Sequence, residues 1–246
     1  MIPFFRKIRQ HLLSDRRLGK YLLYAAGEIL LVVIGILIAL QVDNRNEEKK
    51  DRRKELAYLE RFQKDLALNL NEMDRLILTS DSIYAQIDSL LSASFGEIPP
   101  LSNADFNRHA QAAIDYLIFQ AADATIEDLL GSGQLEIIED PGIREGIATW
   151  ESGLLAIGYL ERDHKKAFND LLEYYRGHSE IYRIMRGGLI FSEESQNQLL
   201  ADPVYLNTLT YHAIPLQMLN AEYREKRKEF RKLSERVAQE VRRLQQ

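Results

Sequence analysis

Residues Tyr21 to Val42 read YLLYAAGEILLVVIGILIALQV, and no other stretch narrows so sharply what the chain can fold into. As a helix, 22 residues span about 33 Å, enough to cross the hydrocarbon core of a bilayer. From Ile29 to Leu40 the run is apolar without interruption and holds ten Ile, Leu or Val residues. At about −0.3 to −0.6 kcal/mol each, these favour insertion by roughly 4 kcal/mol together. A charge at the helix centre costs about 2.5 to 3.5 kcal/mol on the same scale, and the one charge present, Glu28, lies off-centre. Insertion wins. A cleaved signal peptide fits poorly, because the segment before the apolar run is long and Ala39-Leu40-Gln41 offers no small residue at the cut. Cysteine is absent, so neither a lipid-modified cysteine nor a disulfide contributes.

Orientation is read from the flanks. Residues 1–20 hold Arg6, Lys7, Arg9, Arg16, Arg17 and Lys20 against Asp15 alone. The far flank matches this with Arg45, Lys49, Lys50, Arg52, Arg53 and Lys54. The count of basic residues ties, and the density of charge in the short tail, with Asp43, Asn44 and Asn46 opening the far flank, favours a cytoplasmic N-terminus. Within the tail, Phe5, Ile8 and Leu12 recur at helical spacing among Arg6, Lys7 and Arg9. That pattern predicts an amphipathic helix in the headgroup region of an acidic leaflet, with a solvated basic tail as the alternative.

Glu28, Val32, Gly35, Ala39 and Val42 share one face of the span. Gly35 and Ala39 form a small-xxx-small pair that admits another membrane helix, which would also shield the carboxyl from lipid. Glu28 reads either as a packing glutamate or as the working carboxyl of a proton or ion relay. No second ionisable residue lies in the span to receive a proton.

The segments Phe4-Phe5-Arg6-Lys7-Ile8-Arg9-Gln10, Lys20-Tyr21-Leu22-Leu23-Tyr24-Ala25, Gly27-Glu28-Ile29 and Leu31 to Gln41 resemble the opening of an uncharacterised family of bacterial single-pass membrane proteins, known only as a domain of unknown function. A softer echo is Thr125…Leu129…Ser132-Gly133-x-Leu135-x-x-Ile138, similar to a stretch in the soluble part of such proteins. The family often carries a tryptophan and Asn-Glu after the span, whereas Arg45 stands before Asn46-Glu47 here. The resemblance implies a bacterial inner-membrane location and no activity.

Beyond the span, helical periodicity dominates and strand-like alternation is nearly absent. The expected architecture is all-α: the transmembrane helix, continuous with or followed by a long helix, then an antiparallel helical stalk or bundle with shorter helices at its distal end. Residues 1–20 form the basic cytoplasmic tail, 21–42 the transmembrane helix and 43–246 an extracytoplasmic helical domain. From Asp43 to about Ser94 no proline or glycine interrupts a series Leu66, Leu70, Met73, Ile77, Ser80, Tyr84, Ile87 and Leu91, a heptad stripe that demands a partner helix. Pro99-Pro100 ends this arm, and Ser102 or Asn103 caps a helix expected to reach about Gln120. A short helix follows over about 124–130. Asp140-Pro141 starts a helix carrying Ile143, Ile147, Trp150, Leu154, Ile157, Phe168, Leu171 and Tyr175, expected to reach Met185. Ser192 caps a short segment before Asp202-Pro203 opens the last helix. There Leu209, Leu216, Tyr223, Phe230, Val237 and Leu244 repeat every seven residues. The companion row His212, Leu219, Lys226, Leu233 and Glu240 is only partly apolar and predicts a narrow seam, with a kink or restart at Pro215. Charges at Glu47–Glu55 and Glu222–Arg236 are expected to pair between the first and last helices, within one chain or between subunits.

Motifs for chemistry are few. Phosphate loops, dinucleotide fingerprints and nucleophile elbows are missing from the sequence. Glu161-x-x-His164 matches half of a carboxylate di-metal motif and lacks the other half, so a core or surface histidine is expected, as for His178. The basic run Arg224, Lys226, Arg227, Lys228, Arg231 and Lys232 is interleaved with Glu222, Glu225 and Glu229 in a chain of net charge −5, which predicts a solvated face and no nucleic acid. Tyr174, Tyr175 and Tyr182 read as packing. No catalytic, cofactor-binding or metal-binding residue is assigned. The expected partners are the lipid bilayer and a second copy or another membrane protein. Two functions remain: a membrane-anchored helical interaction or scaffold protein, non-enzymatic and facing the periplasm, and an accessory subunit of an ion-driven or transport complex that uses Glu28.

Overall fold

The computed structural model describes residues 18–186, 188 and 190–246, with side chains described from residue 22 onward except at 184 and 185. Among the described residues there is helix, turn and loop but no strand. Seven α-helices follow in order: α1 Leu18–Ser94, α2 Asn103–Ala112, α3 Ala124–Gly131, α4 Pro141–Ala148, α5 Trp150–His178, α6 Glu193–Ala201 and α7 Pro203–Leu244. Two 3₁₀ turns, Leu135–Ile137 and Ile181–Arg186, complete the set. The chain divides into two compact units, Met1–Lys54 and Glu55–Gln246.

In the first unit, residues 22–54 are helical, and the apolar segment buries nothing. The second unit is a packed bundle. Its segment of α1 places Leu59, Phe62, Leu66, Asn69, Met73, Leu76, Ser80, Ile83, Ile87 and Leu90 inside, at alternating steps of three and four. Of the stripe read from the sequence, Leu66, Met73, Ile77, Ser80 and Ile87 are buried. Leu70 and Leu91 are half-buried and Tyr84 is exposed, whereas the row containing Asn69 faces the core. A polar residue in that row hid it. Asn69 is satisfied: its amide donates to the Ala122 carbonyl at 2.9 Å and its carbonyl accepts from Ala122 N–H at 2.7 Å.

Helix α7 runs antiparallel to α1. Asn220 meets Ser80 and Asp81, Arg227 meets Asp74, and Gln245 reaches Glu60. Along α7 most of both rows is buried, Leu209, Leu216, Tyr223, Phe230 and Val237 with His212, Leu219, Lys226 and Glu240, while Leu233 and Leu244 are half-buried. The seam is therefore broad, contrary to the narrow one predicted. Helical structure continues through Pro215 without the expected restart. Buried Ala213 and Leu216 flank the proline, and their packing outweighs its cost of about 3 kcal/mol.

Helix α5 completes a three-helix core. Trp150 lies edge-on to Phe62 at 6.2 Å and stacks on Phe230 at 4.8 Å, His164 stacks on His212 at 4.9 Å, and Tyr175 lies 6.0 Å from Tyr205. These aromatic levels run in opposite directions along α5 and α7.

The capping residues read from sequence act as expected. Ser102, Asp140, Ser192 and Asp202 accept from the backbone N–H of Asp105, Ile143, Ser195 and Val204. Helix α1 stops where Gly96 takes a left-handed φ of 69°, which returns Glu97 N–H to the Ser92 carbonyl.

Three boundaries and one placement differ from expectation. Helix α2 ends at Ala112 instead of continuing to Gln120, because the next residues find partners outside a helix: Phe119 N–H donates to Glu161 and Ala122 N–H to Asn69. The helix begun at Pro141 breaks at Thr149, and α5 ends at His178, short of Met185. Helices α2 and α6 sit at the distal end near Ser94, as predicted, with Ser94 donating to the Leu200 carbonyl. Helices α3 and α4 lie instead beside the Glu55 end, through Arg61–Asp128 at 3.0 Å and Glu139 N–H to Glu55 at 2.6 Å.

Candidate functional site

Exposure of apolar surface singles out one region. Leu23 is 81% exposed, Leu31 72% and Ile29 65%, and Val32, Ile36, Leu37, Ile38, Leu40 and Val42 all exceed half. Fully exposing one such side chain forgoes about 1.5 to 3 kcal/mol of burial, so a row of this length needs a cover. Among the described residues, one helix is long and apolar enough to cross a membrane, with a mean hydropathy of 2.5 over its best window. Glu28, Gly35 and Ala39 are exposed on it, and a Cβ added at Gly27 or Gly35 would meet nothing within 4 Å. The tail residues Phe5, Arg6, Lys7, Ile8, Arg9 and Leu12 lie outside the described residues.

The second unit holds the titratable groups weighed from sequence. Glu161 is held as an acceptor, taking Phe119 N–H at 2.6 Å and the Tyr223 hydroxyl at 2.8 Å. Burial raises its carboxyl above the ordinary range, against the pull of these two donors. It braces the irregular segment after α2 against α7. His164 is fully buried, and neither ring nitrogen has a partner. Its stacked neighbour His212 lies against the Ala113 carbonyl through Nε2 at 3.1 Å, while its Nδ1 is unpartnered. Burial, with His212 adding to it, lowers His164 to about 3, and burial lowers His212 to about 4. Both rings are therefore neutral near pH 7. His178 is exposed and stacks on Tyr174 at 4.2 Å. Among the described residues, no group of three or more His, Cys, Asp or Glu side chains converges.

Tyr174 and Tyr175 pack on Tyr205, and Tyr174 donates to Asp202, whereas Tyr182 is exposed. The basic run on α7 is less solvated than predicted. Arg224 binds Asp81 and Arg227 binds Asp74, so these two charges find their partners in the middle of α1. Lys226, from the same run, is buried beside Glu229.

Asn107 escaped notice in the sequence. It donates to the carbonyls of Asn103 and Phe191 and accepts from the N–H groups of Ile190 and Phe191. One amide thus fixes the approach to α6. A polar residue in the buried row of α2, between Phe106 and Ala110, was the available signal.

Residues 28–111 match the model of a protein family described as a family of unknown function, DUF6090. The matched region takes in the apolar helix from Glu28, the rest of α1 and all but the last residue of α2. No curated protein and no solved structure matches the chain.

Proposed function

We propose that the chain is a single-pass protein of the bacterial inner membrane. Residues 21–42 cross the bilayer, residues 1–20 form a basic amphipathic tail at the cytoplasmic face, and residues 43–246 form a periplasmic helical domain. Its role is that of a membrane-anchored interaction or scaffold protein, working as a homo-oligomer or with another membrane protein.

The observation that carries this reading is the apolar surface of residues 22–42, which the described residues leave uncovered. Lipid is the cover that suits a helix apolar on all sides. The open face around Gly35 and Ala39 supports helix–helix contact within the bilayer. Support for an interaction role comes from the second unit, where Glu161, Asn69 and Asn107 are each engaged in holding the backbone.

Protease added to intact spheroplasts tests the topology: the reading expects digestion of residues 43–246 and protection of a tag placed before residue 1. Protection of the C-terminal domain would reverse the orientation. Mild crosslinking followed by affinity purification tests the role. Recovery of neither a second copy nor a reproducible membrane partner would count against a scaffold. Glu28 supports a second reading, as the one charged residue within residues 21–42. An accessory subunit of an ion-driven or transport complex would lose its phenotype on Glu28→Gln, whereas an unchanged phenotype and assembly removes that idea.

A further inference from the structure

A cavity of about 390 Å³ opens between α4–α5 and α7, away from every group that braces the backbone. Three glycines on its wall let the side chains of α7 come close. A Cβ at Gly142 would fall 2.2 Å from the Arg236 guanidinium, one at Gly146 would fall 3.0 Å from Leu233, and one at Gly153 would fall 3.4 Å from Lys226 Nζ. Helical glycine costs about 1 kcal/mol relative to alanine, so this wall is expensive to keep. The aromatic lining is Trp150 stacked on Phe230.

The polar groups of this cavity are unbalanced. Trp150 is 7% exposed, and its Nε1–H, buried, has no partner. Lys226 is also 7% exposed, and its ammonium, a triple donor, is given one acceptor, Glu229, whose own side chain is 65% exposed. Buried donors thus exceed buried acceptors, while the carboxylates that line the cavity, Glu145 and Glu229, sit at its solvent edge. An unpaired buried donor costs about 1 to 3 kcal/mol, a deficit that a ligand bringing acceptor oxygens would remove.

We infer that this cavity binds a small organic carboxylate, its carboxylate oxygens taking the Lys226 ammonium and the Trp150 indole N–H and its apolar body lying along Phe230 and Leu233. The volume suits a small molecule. The site is independent of membrane anchoring.

Trp150 is the only tryptophan of the chain, so its emission reports on the cavity directly. The probes for the full-length protein in a nonionic detergent are 3-phenylpropionate, its neutral amide and inorganic phosphate. The expected result is a saturable shift in emission with the acid alone, because the amide lacks the charge and phosphate lacks the apolar body. Lys226→Met should weaken binding by about ten- to a hundredfold, the equivalent of one lost charge-assisted bond. Lys228→Met, on the exposed face and paired with Glu225, should leave it unchanged. Equal responses to acid and amide, or no saturable response to the acid in the wild type, would overturn the inference without recourse to any variant. Undiminished binding by a folded Lys226→Met protein would do so too.

Discussion

Acid should loosen the α5–α7 seam, and the stacked pair His164 and His212 sets the size of the effect. Each ring is neutral in the folded state, with burial holding His164 near pKa 3 and His212 near 4, against about 6.5 for an unfolded chain. A group with a depressed folded pKa takes up its proton on unfolding. For a histidine this means that stability is complete above pH 6.5 and falls as pH drops towards the folded values. At pH 5 each unfolded imidazole lies about 1.5 units below its pKa, which favours unfolding by about 2 kcal/mol. The pair together then costs about 4 kcal/mol between pH 7.5 and pH 5, and any folded pKa below about 4 gives nearly the same figure. Glu161, whose carboxyl is raised by burial, contributes in the opposite sense, so the measurement must isolate the histidines. His164→Phe/His212→Phe keeps two stacked rings and removes both protons. Urea unfolding of the full chain in nonionic detergent, followed by circular dichroism at pH 7.5 and pH 5, supplies the two differences. The wild type should lose about 4 kcal/mol more than the double variant. Equal losses would show that the rings are already protonated or solvated in the folded protein, and would refute the buried, unpartnered pair.

Further outcomes follow from the packing. Asn107→Ala strips partners from Ile190, Phe191 and the Phe191 carbonyl and should cost about 3 kcal/mol or more in the same urea assay. Leu216→Ala, at a fully buried site beside Pro215, should cost about 3 kcal/mol and shift the midpoint without changing the slope. Arg227→Ala removes an ion pair to Asp74 in which both partners are partly exposed, and should cost less than about 1 kcal/mol. Hydrogen exchange should find the segment after α2 protected at Phe119 and Ala122, whose N–H groups are held by Glu161 and Asn69.

The helical class and most helix starts were legible because their signals are local. Asp140-Pro141, Asp202-Pro203, Ser102 and Ser192 act through bonds within three residues, and such signals survive any tertiary context. Where α2 stops was not legible. Residues 113–119 favour helix by composition, yet the carboxylate of Glu161 and the amide of Asn69, 42 and 53 residues away in sequence, take up N–H groups at Phe119 and Ala122 outside any helix. The same limit hid the buried rows. Asn69 on α1 carries polar atoms, so hydrophobic periodicity passed over a row that the core in fact uses, while His212, Lys226 and Glu240 made the companion row on α7 read as narrow. Of the candidate site, the apolar run and its Glu28, Gly35 and Ala39 face were visible from residue identity alone. The cavity at Trp150 was not, because Gly142, Gly146 and Gly153 acquire meaning only once α7 lies across them.

Whether residues 21–42 reside in lipid is decided by washing membranes with alkaline carbonate. Sheets prepared from cells making the full-length protein should retain it entirely in the pellet, and exchanging Ile34 and Leu37 for arginine should release it. Quantitative recovery of the intact wild-type chain in the supernatant would contradict the anchor and everything built upon it.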